Sequence, residues 1–197
     1  MNSSNNENVE VNKEEVIETL DRINFWIGNC DTKVSFSLAF AGILLGGFFS
    51  SSIITGSLNL LIKKLIRMYS INNYGEVGMV LLTSFVLAMF FFFMALTITY
   101  LFKALKGSID SSVYKQPGLT TDSISFFGTI AGQSFDSYKQ KVMTATLLEK
   151  QNDLLSQVYI NSKICQNKFK LYNNGLRYLV ISTLLFAILN LFFLFIK

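Results

Sequence analysis

Histidine is absent from this 197-residue chain, and proline and tryptophan occur once each. Without histidine, acid–base catalysis near neutral pH and nitrogen-rich metal sites lose their usual residue. Cysteine is almost as scarce. Cys30 and Cys165 are too few for a disulfide framework or a zinc cluster, both of which need spaced sets, and they read as reduced helix-packing thiols. Charged residues make up 15%, against roughly 25% in an average soluble domain. Hydrophobic residues make up 51%, and phenylalanine alone occurs 19 times. This balance points to a lipid environment and away from side-chain catalysis. The start of the chain also lacks a basic segment followed by a short apolar run and a cleavage site, so no signal peptide is expected.

What the chain has instead is three stretches able to cross a bilayer, which takes about 20 mostly apolar residues per helix. Residues 34–54, VSFSLAFAGILLGGFFSSSII, are rich in serine and glycine. Residues 77–102 include VLAMFFFFMALTITYLF and carry no charge. Residues 176–196, LRYLVISTLLFAILNLFFLFI, hold Arg177 near the entry, where it can snorkel, and Asn190 inside. Between the first two, LNLLIKKLIRMY over 58–69 sets Leu58, Leu61, Ile62, Leu65, Ile66 and Tyr69 at helical spacing, with Lys63, Lys64 and Arg67 elsewhere. That is the pattern of an interfacial amphipathic helix. Trp26 stands a short way before the first span, where an indole sits at headgroup level.

Charge sets the orientation. Acidic side chains dominate up to Asp31 and basic ones after Lys33, and Lys103, Lys106, Lys168 and Lys170 flank the second and third spans. The positive-inside bias puts the N-terminus and the long insert in the cytosol, and the 55–76 loop and C-terminus outside. The expected fold is an all-α integral membrane protein with about three transmembrane helices, a cytosolic helical insert, and a long helix continuous with the last span. By segment, 1–33 form a cytosolic acidic helix and 34–102 a transmembrane hairpin. Residues 103–175 form a cytosolic sensing insert, and 176–197 the C-terminal span.

Within the insert, GSIDSSVYKQPGLTTD over 107–122 is dense in turn formers and contains the lone proline. From about residue 136 to Gly175 neither proline nor glycine interrupts the chain, which predicts one helix of about 40 residues running into the third span. Leu148, Leu155, Ser162, Phe169 and Leu176 form one heptad row, and Gln151, Val158, Cys165, Tyr172 and Leu179 another. Such a seam serves either packing on neighbouring helices or an oligomeric coiled coil. Between loop and helix lies FFGTIAGQSFDSYKQ, 126–140, unusual for its paired phenylalanines, two glycines and a tyrosine.

Signals of catalysis are missing. There is no glycine-flanked nucleophile elbow and no Walker-type phosphate loop, and Glu14, Glu18 and Asp21 fall at the spacing of a solvated helix face. An enzyme is not expected. A coupled transporter is disfavoured as well, because apart from Arg177 the spans hold no aspartate, glutamate, lysine or arginine.

Two blocks carry a resemblance. RINFWIGNCDTKVSFSLAFAGILLG, with Ile27, Asp31, Lys33, Val34 and Ser35 at the matching positions, resembles the start of the Pycsar transmembrane effectors, Val34 standing where alanine is usual. FFGTIAG, then Tyr138, then DLLSQVYINSKICQNKFKLYNNGLRY and the final span resemble the family's second block. Together they cover about half the chain. The resemblance implies an antiphage effector of the bacterial inner membrane, activated by cyclic CMP or cyclic UMP from a pyrimidine cyclase. It would impair the membrane so that the infected cell stops growing or dies. The implied partners are membrane lipids, the cyclic nucleotide, the cyclase as functional partner and further copies of the chain, with no nucleic acid and no cofactor beyond the activating ligand.

Such a ligand needs a cation or amides for one phosphate charge, an aromatic face for the base, and polar groups for its edge. Lys33 and the lysines of the insert supply the first, and Phe126, Phe127 and Tyr138 the second. Gly128 and Gly132 allow close backbone approach. Asp31 either pairs with Lys33 or holds a base amine. The small residues Ser35, Ser37, Ala39, Ala41, Gly42, Gly46 and Gly47 make self-association through the first span plausible. The rival readings are an effector that senses a cyclic oligonucleotide and a coiled-coil membrane scaffold.

Overall fold

The computed structural model describes residues 12–67 and 74–195. The described residues form α1 (Lys13–Ser50), α2 (Ser52–Ile66), α3 (Tyr74–Lys106), a 3₁₀ turn (Ser111–Lys115), α4 (Phe127–Ala131), α5 (Phe135–Thr144) and α6 (Leu147–Phe195), with no strand among them. Helices α1, α3 and α6 are each long and apolar enough to cross a membrane, so the protein is an all-α membrane protein of the expected class. The chain divides into two compact units. An apolar bundle comprises 30–107 and the residues from 168 onward, and a polar unit comprises the residues up to 29 with 108–167. Both α1 and α6 contribute to each unit without interruption.

The bundle core is built from Phe48 and Ala41 of α1, Ile54 and Leu61 of α2, Val80, Phe90 and Met94 of α3, and Leu179, Leu189 and Phe193 of α6. Phe48 stacks on Phe90 at 5.4 Å between ring centroids, and Phe186 lies 5.9 Å from Phe90. Such offset aromatic pairs add about 0.5–1.5 kcal/mol each beyond the area they bury. The buried hydroxyls of Thr83, Thr97 and Ser182 donate to the carbonyls of Met79, Phe93 and Tyr178, four residues back on their own helices. Satisfied in this way, they can lie in an apolar interior without the cost of a lost hydrogen bond.

Three boundaries differ from those read in the sequence. Residues 34–54 are not one helix: α1 ends at Ser50, and Ser51, in extended conformation, caps α2 by accepting from Ile54 N–H. Serine competes with the helical backbone for hydrogen bonds, and the run Ser50–Ser51–Ser52 offers the break. The amphipathic helix expected at 58–69 is the later part of α2. Leu61 is buried, Leu58 and Leu65 pack on the core, and Ile62 and Ile66 are exposed; Tyr69 lies outside the described residues. Finally, the helix expected from residue 136 onward is two helices. It breaks at Ala145, and α6 begins behind a capping box in which Thr146 N–H donates to Glu149 Oε2 at 2.8 Å and Glu149 N–H donates to Thr146 Oγ1 at 3.2 Å. The Thr146–Leu–Leu–Glu149 signature is legible in the sequence and defines a helix start.

The seam of α6 also differs. The heptad row with Tyr172 and Leu179 faces inward, but its partner row is Lys168, Gly175, Ser182 and Leu189, and Leu148 and Leu155 are exposed. On α1, Thr32, Ser35, Ala39, Gly42, Gly46 and Ser50 recur every three or four residues along one exposed face. Outside the chain neighbours and the helix's own backbone, no atom lies within 4 Å of where a Cβ would stand at Gly42 or Gly46. At the other end of α3, Gly107 takes φ 61°, which closes the helix in the left-handed region open to glycine.

Candidate functional site

In the bundle, Cys30 and Val34 of α1 pack with Leu101 and Ala104 of α3, with Phe169, Leu171 and Tyr172 of α6 against them. Helices α3 and α6 meet closely here because Gly175 has no side chain; a Cβ at that position would stand 2.8 Å from Leu101 Cδ2. Set against this apolar cluster is a charge. The Lys168 side chain is 6% exposed, and its Nζ lies 2.5 Å from Asp31 Oδ1 and donates to the Leu105 carbonyl at 3.1 Å. A lysine so buried requires an anionic partner and further acceptors to offset desolvation, and Asp31 and Leu105 provide them. Asp31 therefore pairs with Lys168 and not with Lys33. The Lys33 ammonium instead sits 5.7 Å from the centroid of the Phe169 ring, in cation–π contact. In the sequence Lys168 reads only as a flanking charge. The signal for its burial is its place seven residues before Gly175 in the inward row of α6.

In the polar unit, the residues singled out in the sequence form a compact knob. Ser123 is buried, and its Oγ accepts from the N–H groups of Ser125 and Phe126 and from Gln157 Nε2 of α6. Thr129 Oγ1 donates to the Ser123 and Phe126 carbonyls. Held this way, Phe126 and Phe127 lie 4.7 Å apart by ring centroids and both are exposed, Phe127 to 77%. The space beside Gly128 is occupied by the Phe126 ring, whose Cε1 is 2.6 Å from where a Cβ would stand. Gly128 thus makes room for the protein's own aromatic ring. Tyr138, on α5, is half-buried in the same unit. The structure brings Phe126, Phe127 and Gly128 together at the start of one short helix, with Phe126 as its N-cap, while Asp31 and Lys33 belong to the bundle.

The polar unit also contains a cavity that sequence reasoning missed. It measures about 390 Å³ and is lined by Thr120, Asp122 and Ile124 of the loop, Lys141, Thr144 and Ala145 from the end of α5, and Glu149, Asn152 and Asp153 from the start of α6. The break between α5 and α6 creates it. Asp153 is 2% exposed, and its Oδ2 accepts from Ile124 N–H at 3.1 Å while its Oδ1 has no hydrogen-bond partner. Lys141 Nζ forms an ion pair with Asp122 Oδ1 at 2.5 Å. Hydrogen bonds from the Thr146 backbone N–H and then from its hydroxyl hold the Glu149 carboxyl below its ordinary range. The loop is pinned to α6 by Thr120 N–H donating to Ser156 Oγ and by Gln116 Nε2 donating to Tyr159 Oη. Among the described residues, no group of three or more histidine, cysteine or carboxylate side chains is placed to hold a metal ion.

Apolar helices shared with a polar unit that holds a ligand-sized cavity define a membrane protein with a polar part. Comparison with known proteins is specific. The family model for the Pycsar effector protein domain matches residues 15–195. The Pycsar effector protein GmPycTM of Gulbenkiania mobilis is 56% identical over 183 residues, covering 93% of each chain. The chain belongs to the Pycsar effector family, whose members act in antiphage defence. No solved structure matches it.

Proposed function

We propose that this protein is an inner-membrane effector that a cyclic pyrimidine mononucleotide, cyclic CMP or cyclic UMP, switches from a resting to an active state that impairs the membrane and aborts infection. Family membership supports the class. The observation that carries the mechanism is continuity: α1 and α6 each run unbroken from the polar unit into the bundle, so a change at either helix in one unit is a change in an element of the other. A ligand shifts such an equilibrium only by its differential affinity for the two states. In this reading the polar unit, in the cytosol with the N-terminus, binds the nucleotide, and the Asp31–Lys168 pair is a contact that the shift remakes. The exposed small-residue face of α1 is the surface for self-association, since small residues let spanning helices approach closely. The protein acts without catalysis.

The test is co-expression with a pyrimidine cyclase, reading membrane potential. Depolarisation that depends on both proteins is expected, and an unchanged potential on infection would sink the reading. Thermal stabilisation of the purified protein by a cyclic oligonucleotide alone would favour another signalling system. Phe127→Ala is expected to insert normally and to lose signalled toxicity; full toxicity would remove the aromatic knob from the mechanism.

A further inference from the structure

Building on the reading that a cyclic pyrimidine nucleotide activates the protein, we infer that the cavity between α5 and α6 receives the edge of the base, with Asp153 and Lys141 reading it and the phosphate left outside. An unmet acceptor and a cation held by an exposed carboxylate belong to residues that line this space, and they complement one another. Asp153 Oδ1 is an acceptor without a donor, on a carboxylate that is almost fully buried, and Lys141 Nζ is a donor held by the exposed Asp122 carboxylate. A buried polar atom left unmet costs free energy, so the Asp153 oxygen marks where a ligand completes the bonds. The complement is a neutral ring edge carrying an N–H beside a ring oxygen or nitrogen. Uracil offers N3–H between two carbonyls, and cytosine offers its amine beside N3.

The cavity's size, about 390 Å³, lies within the range of about 300–1,000 Å³ found for ligand pockets. Its charge selects which end enters. Asp122, Glu149 and Asp153 against the single Lys141 leave the lining net negative, which repels a phosphate and tolerates a neutral base. The exposed residues Asp122 and Glu149 stand on the solvent side and the buried Asp153 at the inner end, so the base enters first. Asp122, whose side chain is 78% exposed, can pass Lys141 to the base, since its carboxylate then turns to water.

The geometry makes Asp153→Asn the sharpest probe. The asparagine oxygen can still accept from Ile124 N–H, while its amide now points a donor at the base N–H. Full-length protein in nanodiscs would be titrated calorimetrically with cyclic CMP and cyclic UMP. We expect one of the two to bind, Asp153→Asn and Lys141→Met each to weaken it by about tenfold or more, and melting temperature to hold. Lys139→Met, which removes an equal charge from α5 outside the cavity, should bind as the parent does. Raising salt should leave affinity unchanged or improve it, because screening relieves the repulsion of the phosphate. Wild-type affinity in both Asp153→Asn and Lys141→Met would overturn the cavity while leaving the activation reading intact, and affinity that falls steeply with salt would overturn the base-first orientation. Failure of the parent protein to bind either nucleotide would overturn the activation reading itself, and this proposal with it. Should Asp153→Asn unfold, Lys141→Met decides.

Discussion

Asp31 and Lys168 show how differently two ends of one ion pair depend on their surroundings. The Lys168 side chain is 6% exposed and that of Asp31 39%. Removing Asp31 strands an ammonium with only the Leu105 carbonyl for company, whereas removing Lys168 leaves a carboxylate that water can reach. Breaking a buried pair from the side that strands a charge costs about 3–5 kcal/mol. Asp31→Ala is therefore expected to lower thermal stability by that order, and Lys168→Met by clearly less; equal losses in parallel melts would contradict the asymmetry. From the sequence, Asp31 is recognisable as a residue at the mouth of a span, and its partner is not, because the two positions are 137 residues apart. The same holds for Asp153. It reads as one more charge on a helix until the Ile124 backbone is seen donating to it.

At the scale of elements, α6 owes its start to a local device that any chain with Thr146 and Glu149 would carry. Because the Glu149 carboxyl is held below its ordinary range by the Thr146 hydrogen bonds, its contribution is complete above the unfolded-state value and is lost as pH falls through the lowered native one. Hydrogen-exchange protection in the first turn of α6 should thus be steady at neutral pH and fall only under acid conditions beneath the usual glutamate range. Glu149→Ala should show the reduced protection already at neutral pH; unaltered protection in that variant would show that tertiary contacts, not the cap, hold the turn. The helix break at Ser51 and the one at Ala145 were both missed because hydropathy and the absence of proline and glycine mark only where a helix can run. Where it stops is decided by capping hydrogen bonds, and both breaks lie beside serine or threonine.

For the whole molecule, the exposed face of Thr32, Ser35, Ala39, Gly42, Gly46 and Ser50 carries the proposal of self-association. Gly46→Leu adds a bulky side chain on that face, where nothing outside the chain neighbours and the helix's own backbone lies within 4 Å of the added Cβ. It should leave helicity and melting unchanged while shifting the purified protein toward monomer in light scattering and abolishing depolarisation by the active state. An unchanged mass distribution would place the contact on another face.

The sequence by itself determined the class of the protein: three apolar runs, a polar insert and a long helix entering the last span follow from hydropathy and spacing, because burying apolar surface is a property each segment carries alone. It also carried the family, through local blocks that need no contacts to be read. Only the tertiary structure decided which residues meet. The Asp31–Lys168 pair, the glycine-mediated approach of α6 to Leu101, and the cavity closed by the α5–α6 corner join positions remote in the chain. Buried polar partners are chosen by geometry and by the cost of leaving them unmet, and neither quantity exists until the helices are packed.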